Sequence, residues 1–464
     1  MKLQKVLVGL VGLFTFCNGA LAQHDGSLDI TFNPGSGPNL PVFAVALATN
    51  GDVLIGGEFT SVNGQTRNYV ARLNPDGSVD GSFLPGQGPG YAPYSQVPPY
   101  VLAVEPAPDG GVYIGGYFGT YNGVQTLYIA KLRADASLDL SWPNVAFNNG
   151  PVNSIQCQAD GTVLVQGGFS TIGAVARNGL AKFNSDASLN LSFNPAGGVT
   201  NGSINAFAIQ PDGNVIIAGS FTTNNPVSRQ NIARVNQSGV LDSTFNAGYI
   251  GGGSIQAVVL QTDGKVIVGG GFTSINGYSR LGVARLNTNG TVDTTFVLSP
   301  GIANPTFDGI SVLSDGKVML WGAFSLGQNY GGLVRLNPDG SNDGMFNPQA
   351  NGIVNAAAVQ PDGKVLAGGY FSSISGTNIN YLARLIGTST NTPGLQFLSI
   401  NRYAGMFLGG TVSNTYRVEW TTNLNTPSLW NPLFNVTLQS NPQFVLDTNP
   451  ISGRQRFYRA VALP

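Results

Sequence analysis

Hydrophobic and polar residues alternate over short stretches of this chain, and two-residue turns interrupt the alternation. The first clear example is the run VFAVALA at 42–48, which an Asn-Gly pair separates from the mainly apolar run DVLIGGEF at 52–59. After a loop come YVARLN at 69–74, an Asp-Gly turn and SVDGSF at 78–83. Period-two alternation broken by Asn-Gly and Asp-Gly is typical of antiparallel hairpins, so the pattern predicts four β-strands.

The same unit recurs with a period of about 50 residues. Each copy has Asn or Asp before Gly, then Phe nine residues later, with another Gly two residues before that Phe. The turn positions are Asn50, Asp109, Asp160, Asp212, Asp263, Asp315 and Asp362. Seven four-stranded units predict an all-β, seven-bladed β-propeller whose blades cover each other's faces. The recurring Gly, Gly57 in the first copy, is expected at a close backbone approach or a bulge.

The third strand of each copy carries a basic residue, and an acidic or amide residue follows eight positions later. The basic residues are Arg72, Lys131, Lys182, Arg234, Arg285, Arg335 and Arg384, and the first six are followed by Asp80, Asp139, Asn190, Asp242, Asp293 and Asp343. A three-residue hairpin loop between the strands would place Arg72 directly across from Asp80. An outer-rim ion pair that fixes register is the leading interpretation. A repeated ligand site is the alternative.

The seventh copy is incomplete, because its third strand at 381–387 is followed by neither an Asp-Gly turn nor a fourth strand. The N-terminal part of the mature chain supplies the missing strand as DGSLDITF at 25–32. We therefore expect residues 27–33 to pair with 381–387 and to close the ring. In this arrangement Asp29 faces Arg384.

Two stretches carry a resemblance to a known family. IQPDGNVIIAGSF at 209–221 and NIARVNQSGVLDSTFN at 231–246, with their six counterparts, resemble the delta-60 repeat, a bacterial secreted β-propeller family of unknown function. The resemblance covers about 25–388. It implies a propeller fold and a place at the cell surface or outside the cell. The family has no general activity, so the resemblance assigns no catalytic residue.

The N-terminus has the organisation of a secretory signal peptide. Lys2 and Lys5 precede a short apolar run at 6–16, and the motif Ala-Leu-Ala predicts cleavage after Ala22. The mature protein is therefore expected to be secreted or held at the cell surface. No later stretch is apolar enough to form a transmembrane segment.

The chain is expected to divide into four parts. Residues 1–22 form the signal peptide, 23–388 the propeller, 389–395 a polar linker and 396–464 a small C-terminal module. Alternating segments of the module, such as NTYRVEWTT and RFYRAVAL, predict an antiparallel sheet or sandwich. A role of the module in accessory binding or surface retention stays open.

The composition of the chain limits the partners, catalytic sites and metal sites that can be expected. The chain has 22 basic and 23 acidic residues, a balance that argues against nucleic acid or an anionic membrane surface as partner. The only histidine, His24, adjoins the cleavage site, so Ser-His-Asp, Cys-His and histidine-rich zinc sites are not expected. We expect no cofactor and no metal, although the NPDGSVD turn at 74–80 leaves a weak calcium site open. Cys157 is the single cysteine after cleavage, and a monomer is expected.

Departures from the repeat indicate where function lies. The Asp-Gly turns crowd one face of the propeller, and the second-to-third loops and blade connections form a loop-rich face. The longest connection, 84–100, carries Tyr91, Tyr94 and Tyr100, and such tyrosines bind sugars or proteins at low entropic cost. A lid packed over the ring is the alternative for this segment. The other candidate binding residues are Glu58, Arg67, Arg177, Arg229, Arg280 and Trp321.

Several of these candidates also have a structural interpretation. The four arginines recur at one repeat position, which favours bracing of the blades, and Trp321 replaces a usual Gly or Ala. The leading functional interpretation is a non-catalytic scaffold that binds an extracellular or cell-surface polysaccharide or protein. An enzyme acting on an extracellular polymer through Glu58, Glu105 or Asp308 is one alternative. A purely structural surface protein is another.

Overall fold

A computed structural model describes residues 25–93, 95–142, 147–195, 199–223, 228–326, 329–330 and 332–387. In the C-terminal part it describes 394–400, 403–409, 413–421, 430–439, 443–447 and 457–463. The chain divides into two compact units, and residues 24–388 form one of them. The predicted signal peptide, 1–22, lies outside the described residues.

Residues 24–388 form seven blades, each built on three antiparallel strands paired in the order first, second, third. The first strands are Val42–Leu47, Tyr100–Pro106, Val152–Cys157, Val199–Ile209, Ile255–Leu260, Ile302–Val312 and Val354–Val359. The second strands are Val53–Gly57, Val112–Tyr117, Val163–Gly167, Val215–Thr223, Val266–Gly270, Val318–Leu326 and Val365–Gly369. The third strands are Val70–Leu73, Ile129–Leu132, Leu180–Phe183, Arg229–Val235, Val283–Leu286, Leu333–Leu336 and Leu382–Leu385.

The fourth segment of each blade is shorter than the predicted strand. It joins the third strand through a single bridge, which in the first blade links Leu73 and Val79. The turn between them is the predicted three-residue loop, because the Asn74 N–H donates to the Ser78 carbonyl oxygen at 2.8 Å and Gly77 has φ 90°. First strands contact the first strands of neighbouring blades at six of the seven blade junctions, and between the third and fourth blades a second strand contacts a first strand. The first strands therefore surround the central axis.

The second strands are buried on both faces, because each blade packs against a neighbour on either side. In the first blade Val53, Leu54 and Ile55 are at most 1% exposed. Leu54 belongs to the same apolar cluster as Val104 of the second blade. Burying a side chain of this size contributes about 1.5–3 kcal/mol. Stacking of neighbouring blades therefore holds the core together.

Each first strand contains a β-bulge at the same position, where one extra residue stands opposite the second strand. In the first blade this residue is Phe43, because Val42 pairs with Gly57 and Ala44 pairs with Gly56. A Cβ on Gly57 would lie 2.2 Å from a carbonyl oxygen at the start of the first strand, which explains the recurring Gly. The seven bulge residues are Phe43, Leu102, Asn153, Asn205, Gln256, Asp308 and Asn355.

The two ends of the propeller unit meet in the seventh blade. Leu28 forms an antiparallel bridge with Leu385. The Asp29 N–H donates to the Arg384 carbonyl oxygen at 2.8 Å, and the Arg384 Nε donates to Asp29 Oδ2 at 2.7 Å. These contacts agree with the ring closure expected from the incomplete seventh repeat.

The charge pairs between third and fourth segments are more buried than an outer-rim position implies. In the first blade Arg72 Nε lies 2.6 Å from Asp80 Oδ2, and the two side chains are 14% and 15% exposed. In the sixth blade Arg335 is fully buried and lies 2.7 Å from Asp343. Arg285 also donates to a carbonyl oxygen in the turn of the next blade at 2.6 Å. The pairs therefore fix both strand register and blade stacking.

The second-to-third loops contain short hairpins that the sequence interpretation left as irregular loop. In the first blade Ser61–Val62 pairs with Gln65–Thr66 around Asn63 and Gly64, whose φ angles of 48° and 71° suit a type I′ turn. The other paired segments are Thr120–Tyr121 with Val124–Gln125, Thr171–Ile172 with Val175–Ala176, Ser274–Ile275 with Tyr278–Ser279, and Ser373–Ile374 with Thr377–Asn378. In the sixth blade Asn329–Tyr330 pairs with the end of the second strand. The blade connections add Pro89–Gly90, Phe147–Asn148 and Ile250–Gly251 to these sheets.

The C-terminal part contains two three-stranded antiparallel sheets. The first sheet orders Gly394–Ile400, Tyr403–Gly409 and Gln443–Asp447. The second sheet orders Asn431–Thr437, Thr415–Thr421 and Phe457–Ala462. Tyr416, Val418 and Leu438 form a small apolar core beside the second sheet. Antiparallel pairing is what the alternating segments predict for this module.

Candidate functional site

One repeat position on the loop-rich face distinguishes three neighbouring blades. The residue directly before the recurring Phe is Tyr370 in the seventh blade, Glu58 in the first and Tyr117 in the second. In the remaining blades it is Gly168, Ser220, Gly271 and Ala323. Because the seventh, first and second blades are adjacent in the ring, the three large side chains fall in one sector.

Five aromatic side chains of this sector form a continuous series of contacts, which we call the aromatic cluster: Phe43, Tyr100, Tyr117, Tyr128 and Tyr370. The ring centroid of the bulge residue Phe43 lies 5.6 Å from that of Tyr370 and 6.1 Å from that of Tyr100. Tyr100 stacks on Tyr117 at 5.6 Å, and Tyr117 contacts Tyr128 at 5.8 Å. Tyr370 is 50% exposed and the other four are partly buried, so the cluster offers ring surface to solvent.

Glu58 supplies a carboxylate beside the aromatic cluster. Burial, together with the negative charge of Glu58, raises the pKa of Tyr370. Burial, Tyr117 and Glu58 likewise raise the pKa of Tyr100. The structure thus brings together two sequence-predicted candidates, Glu58 and Tyr100, and surrounds them with further aromatic rings.

Backbone strain marks the same three blades. After each second-to-third loop one residue has a positive φ, and in the other four blades it is Gly179, Asn231, Gly282 or Gly332. In the seventh, first and second blades it is a tyrosine, with φ of 63° for Tyr381, 67° for Tyr69 and 72° for Tyr128. A bulky residue in this region costs of order 1–3 kcal/mol, and such strain clusters at functional sites.

The long connection 84–100 packs on the second blade. Ser95 Oγ lies 3.0 Å from Tyr117 Oη, and a Cβ on Gly119 would lie 2.6 Å from Cα of Ala92. Tyr91 is 57% exposed. The remaining candidate tyrosine of this segment, Tyr94, lies outside the described residues. The connection therefore supports the aromatic cluster and leaves Tyr91 accessible.

The four candidate arginines lie in separate blades, and their guanidinium groups donate hydrogen bonds to backbone carbonyl oxygens. Arg229 donates to three carbonyl oxygens at 2.8–2.9 Å. Arg67 donates to two at 2.8 and 3.0 Å, Arg177 to two at 2.9 and 3.2 Å, and Arg280 to one at 2.8 Å. All four are buried. This geometry favours bracing of the loops over a ring of cations that contact a ligand.

Trp321 packs between the sixth and seventh blades. It stands directly opposite Gly309, and a Cβ on Gly309 would lie 2.0 Å from the indole ring. The indole Nε1 donates to the Asn355 carbonyl oxygen of the seventh blade at 3.1 Å. At the position of Gly309 most other blades have Ala, namely Ala44, Ala103, Ala206, Ala257 and Ala356. The indole therefore replaces a smaller pair of side chains in the blade interface.

The three acids of the enzyme alternative lie on three blades. Glu58 directly follows the second strand of the first blade, and Asp308 is the bulge residue within the first strand of the sixth blade. Glu105 lies farther along the first strand of the second blade and accepts the Cys157 N–H at 3.0 Å, and burial raises the pKa of Glu105 to about 7. Asp308 is exposed, yet nearby protein atoms desolvate it and raise its pKa.

The opposite face carries a cleft of about 440 Å³, where the short turns of the first three blades meet. Thr49, Asn50, Pro108, Cys157 and Ala159 contribute to its wall, which contains no Phe, Tyr or Trp. Arg72 also lines this cleft and is already paired with Asp80. The cleft therefore offers neither aromatic surface nor a free guanidinium group to a ligand.

The oxygen atoms of the NPDGSVD turn are used within the turn. Asp76 Oδ1 accepts the Ser78 N–H at 2.9 Å and the Ser78 hydroxyl at 2.7 Å, and Asp80 is paired with Arg72. Among the described residues, no group of three or more His, Cys, Asp or Glu side chains is arranged to hold a metal ion. The described part of the chain also contains no helix that is long and apolar enough to cross a membrane.

The repeats match the model of a known family, described as "Domain of unknown function (DUF5122) beta-propeller". The matched residues are 49–83, 107–141, 158–193, 210–245, 261–296, 313–345 and 360–385. The chain belongs to this family. Seven DUF5122 segments confirm the β-propeller repeat predicted from the internal comparison. A search of curated proteins finds no match to the chain.

Solved structures similar to this DUF5122 propeller share little sequence with it. The extracellular domain of a putative hybrid two-component system from B. thetaiotaomicron is 10% identical, with a TM-score of 0.45, over 93% of this chain and 54% of that one. Virginiamycin B lyase from Staphylococcus aureus is 13% identical, with a TM-score of 0.42, over 75% and 96%. PorZ, a surface component of the type-IX secretion system of Porphyromonas gingivalis, is 11% identical, with a TM-score of 0.37, over 91% and 65%. The chain thus spans about half the length of the first of these proteins.

Sequence reasoning predicted only Tyr100 of the aromatic cluster and missed the other four residues: Phe43, Tyr117, Tyr128 and Tyr370. Tyr117 and Tyr370 occupy the repeat position of Glu58, so a comparison of that position across the copies would have found them. Phe43 carried no such signal, because its direction depends on the bulge in the first strand.

Proposed function

We propose that this protein is an exported binding scaffold that recognises an extracellular polysaccharide through the loop-rich face of its propeller. The observation that carries the proposal is the aromatic cluster with Glu58 beside it, on the loop-rich ends of three neighbouring blades. Aromatic rings stack on the apolar faces of sugars, and a carboxylate accepts strong hydrogen bonds from sugar hydroxyl groups. Export rests on the predicted signal peptide at 1–22.

The size of the cluster favours a polysaccharide over a protein as ligand. A stable protein interface buries about 800 Å² on each partner. Within the cluster the most exposed residue, Tyr370, is 50% exposed, and the other four are partly buried. A few ring faces with polar groups nearby suit a narrow chain of sugars better than a broad protein surface.

A glycan array probed with residues 23–464 tests the proposal. Tyr370→Ala and Tyr100→Ala should each weaken the binding seen with the wild type at least about tenfold, because both remove a ring from the contact surface. Tyr91→Ala measures the contribution of the long connection. Tyr249→Ala is the matched control, because Tyr249 is 65% exposed on a blade connection outside the cluster.

The outcomes separate the function from the site. Failure of the wild-type protein to bind any glycan would contradict polysaccharide recognition. Equal losses in Tyr370→Ala, Tyr100→Ala and Tyr249→Ala would contradict the assignment of the site to the aromatic cluster.

A further inference from the structure

The bulge residues of the third to seventh blades are polar. The first two blades place Phe43 and Leu102 at the bulge. The next five place polar residues there: Asp308 and four amides, Asn153, Asn205, Gln256 and Asn355, which we call the amide arc. All seven bulges lie at the same repeat position of the first strands that surround the axis, so the arc and the cluster border one opening. In the fourth and sixth blades the first strand continues beyond the bulge towards the loop-rich face.

Neighbouring groups hold part of the amide arc in place. The Asn205 side chain donates to the Ile255 carbonyl oxygen at 3.0 Å and accepts from Ser203 at 3.0 Å. The Gln256 side-chain amide donates to Ser254 Oγ at 2.9 Å, which leaves its carbonyl oxygen available. Asn153 is exposed. Amide groups both donate and accept hydrogen bonds, as sugar hydroxyl groups require of a partner.

The opening contains two carboxylates, and no described cation faces it. Glu58 and Asp308 form no ion pair within the described part of the chain. The lysines and arginines of 25–387 lie or bind elsewhere. Seven are in third strands near the short turns, and Arg133 is in a short turn itself. Three lysines form ion pairs with fourth-segment aspartates, and four arginines donate hydrogen bonds to backbone carbonyl oxygens. The balance of charge at this opening is therefore negative.

We infer that the opening selects a neutral polysaccharide, whose sugar ring stacks on the aromatic cluster while its hydroxyl groups bond to the amide arc. This inference rests on the proposed function and names the class of ligand. An acidic polymer would bring carboxylate or sulfate groups beside Glu58 and Asp308, and like charges in a partly desolvated site repel strongly. Uronate-containing and sulfated polymers should therefore bind more weakly than neutral polymers of the same backbone.

Matched oligosaccharides test the charge selection. Residues 23–464 are titrated with pairs of equal length and linkage that differ only at C6, such as β-1,4-linked mannose and mannuronate hexamers, chosen after the array identifies the backbone. The neutral member should bind at least about tenfold more tightly than the uronate. The double variant Glu58→Gln, Asp308→Asn should bring this ratio below about threefold, because both charges are gone.

Substitutions taken from a neighbouring blade test the amide arc. Asn153→Leu and Gln256→Leu introduce the residue that the second blade has at the same position, Leu102, so the fold accommodates them. Each should lower affinity for the neutral glycan by about 3- to 10-fold, as the loss of one or two hydrogen bonds predicts. Gln237→Leu, which replaces an exposed amide on the opposite face, should leave affinity unchanged.

Each outcome bears on one statement. Equal or tighter binding of the uronate would overturn charge selection, while the losses in Tyr370→Ala and Tyr100→Ala would keep the proposed function. Unchanged affinity in both Asn153→Leu and Gln256→Leu would overturn the role of the arc. If no glycan binds at all, the proposed function fails and this inference fails with it.

Discussion

Asp29 and Arg384 stand 355 residues apart in the chain, and their side chains form an ion pair of 2.7 Å. Lys364 of the seventh blade lies 3.1 Å from the same carboxylate. Arg384 also donates to the Pro75 carbonyl oxygen in the first blade at 2.6 Å. This one pair therefore joins the N-terminal segment, the last blade and the first blade, and the Asp29 side chain is 1% exposed.

Replacing Asp29 with Ala should lower the free energy of unfolding by about 3–5 kcal/mol, because Arg384 would keep its charge in a buried site. Asp80→Ala is the matched control, since it breaks the corresponding pair within one hairpin at a more exposed site. Its loss should be smaller. Urea denaturation of both variants gives the comparison, and equal losses would contradict a special role in closure.

Deleting residues 23–33 should lower the melting temperature more than Asp29→Ala does, because it also removes the bridge between Leu28 and Leu385. Thermal unfolding followed by circular dichroism measures the effect. A melting curve identical to that of the full mature chain would mean that the ring is stable without its N-terminal strand.

The propeller could be predicted from the sequence because each blade repeats its own turn chemistry. The Asp-Gly turns, the recurring Gly and the charge pair of Arg72 with Asp80 are local patterns, and local patterns fix hairpin register. The length of the fourth strand of each blade was overestimated. Alternation in SVDGSF predicts a strand, but only Val79 bridges to the third strand.

The candidate site was predicted less well than the fold. The hairpins of the loop-rich face could have been predicted from Asn-Gly pairs such as Asn63-Gly64, which strongly favour type I′ turns. The direction of the Phe43 side chain could not be predicted, because the bulge that turns it is visible only in the pairing of the first strand with the second. The buried state of Arg229 also depends on which carbonyl groups the fold brings near it.

Gly309 and Trp321 should form a compensating pair that a double-mutant cycle can measure. Gly309→Ala alone should destabilise the protein by about 1–3 kcal/mol, because the added methyl group meets the indole. Trp321→Gly alone should cost about 3–5 kcal/mol through the cavity that it leaves. The double variant reproduces the Ala and Gly found at these positions in the first blade.

We therefore expect the double variant to be more stable than Trp321→Gly, with a favourable interaction energy of about 0.5–3 kcal/mol between the two changes. Urea denaturation of the four proteins in the cycle measures this energy. Simple additivity of the two single changes would show that the indole and Gly309 are not coupled.

Arg229→Lys should destabilise the propeller by about 2–4 kcal/mol, because an ammonium group cannot reproduce three hydrogen bonds to separate carbonyl oxygens. Arg133→Lys, at an exposed position in a short turn, is the control and should change stability little. Glycan affinity, measured on the folded fraction, should be unchanged in both. A loss of affinity in Arg229→Lys without a loss of stability would favour a binding role instead of bracing.

Stability should fall as pH rises from about 4.5 to about 7, because of Glu105. Burial raises the pKa of this carboxyl from 4.5 to about 7, so the folded protein keeps a proton that the unfolded chain has already released. The unfolded state then binds fewer protons than the folded state, and the free energy of unfolding decreases across this window by up to about 3 kcal/mol. Asp29 acts in the opposite direction at lower pH, because its pKa is lowered from 3.8 to about 2 and its contribution is lost in that acid range.

Glu105→Gln isolates this effect, since Gln156 occupies the same position in the third blade and shows that the fold accepts an amide there. The variant has no proton to lose between pH 4.5 and 7.5, so its stability relative to the wild type should increase across that range. Urea denaturation of both proteins at the two pH values measures the difference. Parallel pH profiles would mean that Glu105 titrates near its ordinary pKa, in contact with solvent through the channel.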